Sequence, residues 1–463
     1  MSDLLSATPA TPAPLDPGFQ PFVLGLRSYR AAVKAAGGGE KLVLGLEREN
    51  KLASRYELNV LTDPASLPAT LRIVERIVKF LVWARGGWKL YVGGPAPIAK
   101  HLAKTYGPKG ARKFDAQMME MAYGRKFTVV AVPAAKVPAN KEMQLPAGGH
   151  LKGCRIGFDL GASDYKVSAV IDGNPVFTEE VPWDPKNAAN PLYHYHNISS
   201  ALHRAAANLP RVDAIGGSSA GIIVNNEIRV ASLLRSIPKK RFAEAAAVFK
   251  KVQKDWGVPL VVMNDGDVTA LAGALSLGKK GMLGIAMGSS EAGGFMDKQG
   301  RILGWLNELA FAPVDINPNA PPDEWSGDGG VGALYFSQQA VNKLLPAAGL
   351  EMPKELGLPE RLKKVQEIMA GPDAAAKAQA AKIYETIGVY LGYALPLYAE
   401  FYDYTNVLIL GRVTTGEGGD IVLAKAREIL AREFPDVTIS VFVPDEKSRR
   451  VGQAVAAASL PKR

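Results

Sequence analysis

This chain is poor in cysteine and histidine and has no long apolar run. Its single cysteine, Cys154, excludes an internal disulfide framework and a cysteine-built zinc site. The five histidines are His101, His150, His194, His196 and His203. Tyr193-His194-Tyr195-His196 brings two of them close, but no third histidine follows at ligand spacing. These rings are expected to pack a loop or rim a cleft, and no zinc is expected. No stretch approaches the ~18 apolar residues that a membrane span requires. The opening MSDLLSATPATPAPLDPGFQP lacks the basic lead and apolar core of a secretory signal. Rich in Pro, Ala and Thr, residues 1–20 are expected to form a disordered tail. These absences point to a soluble cytoplasmic protein without a membrane partner. At 463 residues and 47% hydrophobic content, the chain is long enough for two or three domains.

A net positive charge is also missing from most of the chain. Residues 1–150 hold 21 Lys and Arg against 11 Asp and Glu, whereas residues 151–463 hold 34 of each. The whole excess of +10 therefore lies before residue 151. This predicts a boundary near Pro146-Ala-Gly-Gly-His150 and a basic α/β domain over 21–150. Within it, 68–84 has helical spacing, 89–107 reads as strand, turn and helix, and 127–133 reads as a buried strand. A basic domain suits nucleic acid, a phosphorylated ligand or an acidic partner, or is simply a solvated surface. The lack of a dense lysine run or an RNA-binding aromatic motif disfavours nucleic acid.

The informative presences begin with IGFDLGASDYKVSAVIDG (156–173). An apolar strand ends at Asp159 and turns through Gly161, Ala162 and Ser163 before Lys166. Glycine permits close approach, and free N–H groups with a serine hydroxyl can hold phosphate oxygens. Lys166 adds positive charge, and Asp159 can hold Mg²⁺ through water. A second hairpin, GIAMGSSEAGGFMD (284–297), repeats the design with Gly288, Ser289 and Ser290. Either alone reads equally as an ordinary turn, but two hairpins heading successive halves suggest a duplicated fold gripping a polyphosphate. VVMNDGDVTALAGA places Asn264 and Asp265 where a buried strand meets a small-residue helix. Asp265 there can accept a proton from an attacking hydroxyl, and Asn264 can orient that hydroxyl; the plainer reading makes Asp265 or Asp267 a helix cap. LILGRVTTGEGGDIV (408–422) reads as strand, glycine loop and helix, with Gly411 in the loop. Further strands are expected at 155–160, 166–171, 175–181, 406–411 and 437–443. Helices are expected at about 197–208, 240–257, 266–277, 331–345, 374–399, 418–434 and 449–460.

These segments, in this order, resemble the sugar-kinase, actin and heat-shock ATPase superfamily, and within it the ROK family of sugar kinases and repressors. DLGASDYK is similar to the first phosphate motif, AMGSSEAGG to the second, and LILGRVTTGEGG to the adenosine motif. MNDGDVTALAGAL resembles the segment of the catalytic aspartate, GWLNELAFAPVD (304–315) that of a sugar-contacting glutamate, and GGSSAGIIVNNEI (216–228) the sugar-site turn. The resemblance covers about 153–460. It implies a two-lobed actin-like ATPase fold, a duplicated ribonuclease H-like unit, with lobes at 151–278 and 279–463 and helix 449–460 returning to the first. It further implies ATP and Mg²⁺ as cofactors, Asp265 as general base, and Asn264, Glu308, Ser219 and Gly221 as acceptor contacts. Asp159, Gly161, Ala162, Ser163, Lys166, Gly288, Ser289 and Ser290 would surround phosphates and Mg²⁺, with Gly411 near the adenosine.

The chain departs from the family pattern in three places. Phe311 stands where the family carries a zinc-bound histidine. Ser326, Asp328 and Ala333 stand where its cysteines fall, and Tyr335 replaces a further sugar glutamate. Family repressors carry a winged helix-turn-helix in front, and none is evident in 21–150, whose role is then to cover the cleft, to mediate a homodimer or to bind a partner. The leading expectation is an ATP-dependent kinase of a sugar or polyol hydroxyl. The alternatives are a sugar- or nucleotide-sensing regulator that meets DNA or a partner through its basic domain, and an ATPase without a sugar substrate.

Overall fold

A computed structural model describes residues 3–146, 148–161, 163–443 and 446–462. Its two central sheets repeat one topology. In the first, strand Cys154–Leu160 pairs antiparallel with Asp164–Ile171, which pairs with Asn174–Pro182. On its other side it runs parallel to Ala214–Ser219, which runs parallel to Leu260–Asn264. In the second, Met282–Met287 pairs antiparallel with Glu291–Met296 and parallel with Asn406–Leu410, which runs parallel to Ser440–Phe442. Both units thus open with an antiparallel hairpin and continue with parallel strands. The repeat is the two-lobed α/β architecture expected.

Two helices of small residues, Asp265–Leu277 and Glu446–Ala458, pack between the sheets. Their close approach requires glycine. A Cβ on Gly157 would sit 1.7 Å from the Ala454 carbonyl oxygen, and one on Gly266 would sit 1.8 Å from that of Gly293. The C-terminal helix also lies on the first sheet, where Arg155 donates to the carbonyls of Ala458 (3.3 Å) and Pro461 (2.8 Å).

Ahead of these units stands a third sheet in the order Ala53–Val60, Glu40–Glu47, Lys89–Gly93, Thr128–Ala131. The hairpin of 40–60 and the helices Phe22–Ala35 and Lys113–Tyr123 were not foreseen in the sequence. The helix Leu67–Arg85 is sunk into the protein: every residue from Ile73 to Ala84 is buried, Lys79 included. Its apolar stripe faces the sheet, and its buried charged face, Glu75, Arg76 and Lys79, is covered and paired on the other side, where Asp328 of the 304–336 segment meets it.

Four expectations differ from the structure. Residues 4–19 are not a free tail. Leu5, Ala7, Ala13 and Phe19 are buried, and the strap is tied to the long helix Ala374–Ala399. Thr11 N–H donates to Tyr393 Oη (3.1 Å), Tyr390 Oη donates to Asp16 (2.5 Å), and Phe19 packs edge-on against Tyr390. Sparse apolar side chains in a proline-rich segment sufficed, because an extended strap needs only occasional anchors. The helix expected over 331–345 is a single 3-10 turn, Gly332–Leu334, followed by Gln338–Leu344, with Ser337 capping the second through Gln339 N–H. The helix expected over 240–257 breaks at Ala247 into Phe242–Ala246 and Val248–Trp256. The 193–196 aromatics pack a helix: His194 is buried, bonds the Leu233 carbonyl (2.8 Å) and meets Trp183 edge-on.

Candidate active site

The site grows from two tight turns and one helix start. Asn264 caps the helix Asp265–Leu277, its Oδ1 accepting from Gly266 N–H (2.8 Å), while its Nδ2 donates to the Gly221 carbonyl (2.9 Å). The cap is therefore Asn264 rather than Asp265 or Asp267. Its amide positions the Gly221 turn, where φ is +108°. Asp265, the first helical residue, is left half-buried on the wall of a cavity of about 320 Å³. Asp267 faces the second lobe and accepts from Asn307 Nδ2 (2.8 Å), a structural role.

The cavity gathers Gly161, Gly221, Asn264, Asp265, Gly288, Ser289, Ser290 and Glu308. Ser219 is fully buried one step behind this wall, with its hydroxyl 3.4 Å from the Ala220 carbonyl. Ser163 is exposed at the hairpin tip and donates to Asp164 (2.8 Å), so its hydroxyl is not turned into the cleft. Ala162 lies outside the described residues. Asp159 is buried and its Oδ1 accepts from Ser218 Oγ (2.6 Å). Tyr335 lies in the core away from the cavity, donating to Asp315 (2.7 Å).

Burial raises the carboxyls here. Asp265 is pushed up to about 6, chiefly by burial and secondarily by repulsion from Asp159. Asp159 is itself raised by burial. Glu308 is pushed up to about 8 by burial, with Asp265 and Asp267 adding repulsion. A base near neutrality is well matched to taking a hydroxyl proton.

The remaining predicted residues frame a second cavity, of about 330 Å³. Lys166 and Gly411 line it with Thr269, Gly273, Arg412, Thr415 and Gln453. Gly411 has φ +109° and faces the Met287 carbonyl, where a Cβ would lie 2.4 Å away. One helix serves both cavities. From Asp265 to Gly273 is eight residues, or about 12 Å at 1.5 Å per residue, a span an extended nucleoside triphosphate can bridge.

The sequence did not reveal how the N-terminal region builds the first cavity. Trp83 and Met118 line it, together with Phe311 and Trp325. The last carbonyls of the Leu67–Arg85 helix lack intrahelical partners. Trp83 accepts from Glu308 N–H (3.0 Å), and Ala84 from Asn307 N–H (2.9 Å). Two of the positions that depart from the zinc pattern of the resemblance, Phe311 and Asp328, fall at this junction. Phe311 packs on Trp83 with ring centroids 4.4 Å apart. Asp328 binds Arg76 (3.1 Å), Lys79 (3.2 Å) and Arg112 (2.7 Å), and Lys79 also binds Asp115 (2.8 Å). Part of the basic excess of residues 1–150 is thus spent on an internal joint with the second half. Glu291 is a further missed residue. It lines the cavity, is 3% exposed, accepts from Tyr398 Oη (3.0 Å) on Oε1, and leaves Oε2 without a partner. Its sequence signal was a lone carboxylate opening the apolar strand EAGGFM.

No family model and no curated protein matches this sequence. Solved structures do match its fold. A ROK family glucokinase from Streptomyces griseus, solved with glucose and AMPPNP, aligns at 18% identity and a TM-score of 0.51. The alignment covers 67% of this chain and 99% of that one. The ROK hexokinase from Thermus thermophilus aligns at 17% and 0.50, covering 66% and 97%. A ROK family transcriptional regulator, a homologue of the E. coli MLC protein, aligns at 17% and 0.52, covering 79% and 89%. The chain has the two-lobed fold of these ROK family proteins, sugar kinases and a transcriptional regulator among them.

Proposed function

We propose that this protein transfers the terminal phosphoryl group of ATP to a hydroxyl of a small sugar or polyol. The observation that carries the reading is the convergence on one cavity wall of Gly161, Asp265, Gly288, Ser289 and Glu308 from distant segments, next to a second cavity bearing Lys166 and Arg412. The nucleoside lies against Gly411, with Lys166 and Arg412 answering phosphate charge. The terminal phosphate faces the N–H groups and hydroxyls of the Gly288–Ser290 turn. Asp265 accepts the acceptor's proton, and Glu308 holds a neighbouring hydroxyl. Asn264 acts through Gly221, fixing the turn rather than touching the acceptor.

Mg²⁺ suits the donor set. Asp159 keeps one carboxylate oxygen beyond its Ser218 bond, and an ion carried mainly by phosphates and water needs only one or two carboxylates. When bound, it would neutralise phosphate charge. An ATP-consuming reaction of this kind belongs in the cytoplasm.

A second reading, a sensor that binds without transfer, is favoured by the first hairpin. Asp164 adds a carboxylate at its tip and engages Ser163, weakening a phosphate grip. ADP release across hexoses, amino sugars and polyols separates the two. Acceptor-dependent release that collapses in Asp265→Asn supports transfer. Tight binding of nucleotide or sugar without release supports the sensor, and release that no acceptor changes supports a plain ATPase.

A further inference from the structure

Resting on the phosphotransfer reading, we infer that the acceptor carries a protonated amine: an amino sugar or amino alcohol, held by the carboxylates and aromatic rings of the first cavity. The wall of that cavity holds Asp265, Glu308 and Glu291 and no Lys, Arg or His among the described residues. Among the described residues, the Asp265 side chain bonds its neighbour's N–H alone. Glu291 Oε2 is buried and unpartnered. Behind Trp83, Lys79 lies 5.9 Å from that ring and is held by Asp115 and Asp328.

The carboxylates are spread along the wall rather than gathered: no three described Asp, Glu, His or Cys side chains converge closely enough to hold a metal ion. A spread set of this kind, which burial keeps largely protonated until a counter-charge arrives, suits an organic ammonium group beside which Glu308 and Glu291 can ionise. Mg²⁺ accompanying ATP would answer Asp159 and the phosphates, leaving Glu308 and Glu291 to the acceptor. Part of the same lining is aromatic. Trp83 packs on Phe311, and Phe311 meets Trp325 edge-on at 5.5 Å. Trp325 is 60% exposed, at the mouth. Aromatic faces and carboxyl groups lining one cavity are a strong setting for an ammonium group. The second cavity has the reverse character: among the described residues, Lys166 and Arg412 line it and no carboxylate does. The paired charges would direct the anionic nucleotide to one cavity and the cationic acceptor to the other.

The test is calorimetric titration of the whole protein at pH 7 with glucosamine, 3-amino-3-deoxyglucose and ethanolamine. Glucose and N-acetylglucosamine serve as neutral controls, and ADP release is measured in parallel. At least one amine should bind about tenfold or more tightly than both controls. That preference should fall at least fivefold in Trp325→Leu, whose exposed side chain can be changed without disturbing the core, and in Glu291→Gln. Equal or tighter binding of the neutral compounds, or no binding by any amine, overturns the inference. ADP release with neutral sugars alone overturns it and leaves phosphotransfer standing. Amine binding without ADP release keeps the amine site and overturns phosphotransfer.

Discussion

The two cavities differ in charge and in origin. The cavity around Gly411 and Lys166 is basic and built wholly from the duplicated lobes. The cavity around Asp265 and Glu308 is acidic, and its aromatic roof comes partly from the N-terminal region, through Trp83 and Met118. The contrast teaches where this chain departs from a common scaffold. On the proposed function, the nucleotide side is built from the repeated lobes, while the acceptor side also takes side chains from the N-terminal region.

Asp265→Asn breaks the acidic side most severely. It should lower kcat by about 10²- to 10⁴-fold, the usual reach of a general base, with ATP binding kept; a smaller loss in steady-state ADP release would remove Asp265 from the chemistry. Replacing Lys166 and Arg412 together by Ala tests the basic side. KM for ATP should rise about 10- to 100-fold, as for loss of charge-assisted bonds, while acceptor KM stays put. Equal changes in both constants would deny the division of labour.

The pH profile sharpens the comparison. With the Asp265 carboxyl raised to about 6, kcat should fall about tenfold per pH unit below that value. A profile flat from pH 7 to 4.5 would mean that Asp265 is not the base. Lys79→Met opens the roof joint. Leaving Asp115 and Asp328 without this cation costs about 3–5 kcal/mol, and slackening Trp83 should raise acceptor KM about three- to tenfold without altering KM for ATP.

The smallest effect concerns stability. Burial holds Glu291 and Glu308 near 8 and Asp267 near 7, all above their unfolded values. The folded state therefore keeps protons that the unfolded state releases above about pH 4.5. That contribution is fully present at lower pH and is lost as pH rises through about 7–8. Glu291→Gln should raise Tm by about 1–3 °C at pH 8.5 and by less at pH 6. The opposite order in a thermal melt would show that Glu291 is ionised and paired.

The legible parts of the molecule were those whose signal is local. The Asp159–Lys166 and Gly288–Ser290 hairpins, the Asn264-Asp265 strand end and the two small-residue helices each carry composition that a close approach demands. Gly157 against Ala454 and Gly266 against Gly293 show why no larger residue fits. What was not legible depends on distant partners. Nothing within ERIVKFLVWA announces that Trp83 will roof a cavity or that Lys79 will meet Asp328. The strap of residues 4–19 is fixed by tyrosines some 370 residues away. Ser163 and Ser219 fit a motif by type, yet one turns to Asp164 and the other packs behind the wall.

A crystal structure grown with AMPPNP and Mg²⁺ tests the central claim most directly. The account predicts the adenosine beside Gly411, phosphates reached by Lys166 and Arg412, and the terminal phosphate facing Asp265 across the acceptor space. A nucleotide seated between Glu308 and Trp83, or one whose terminal phosphate points away from Asp265, would contradict it.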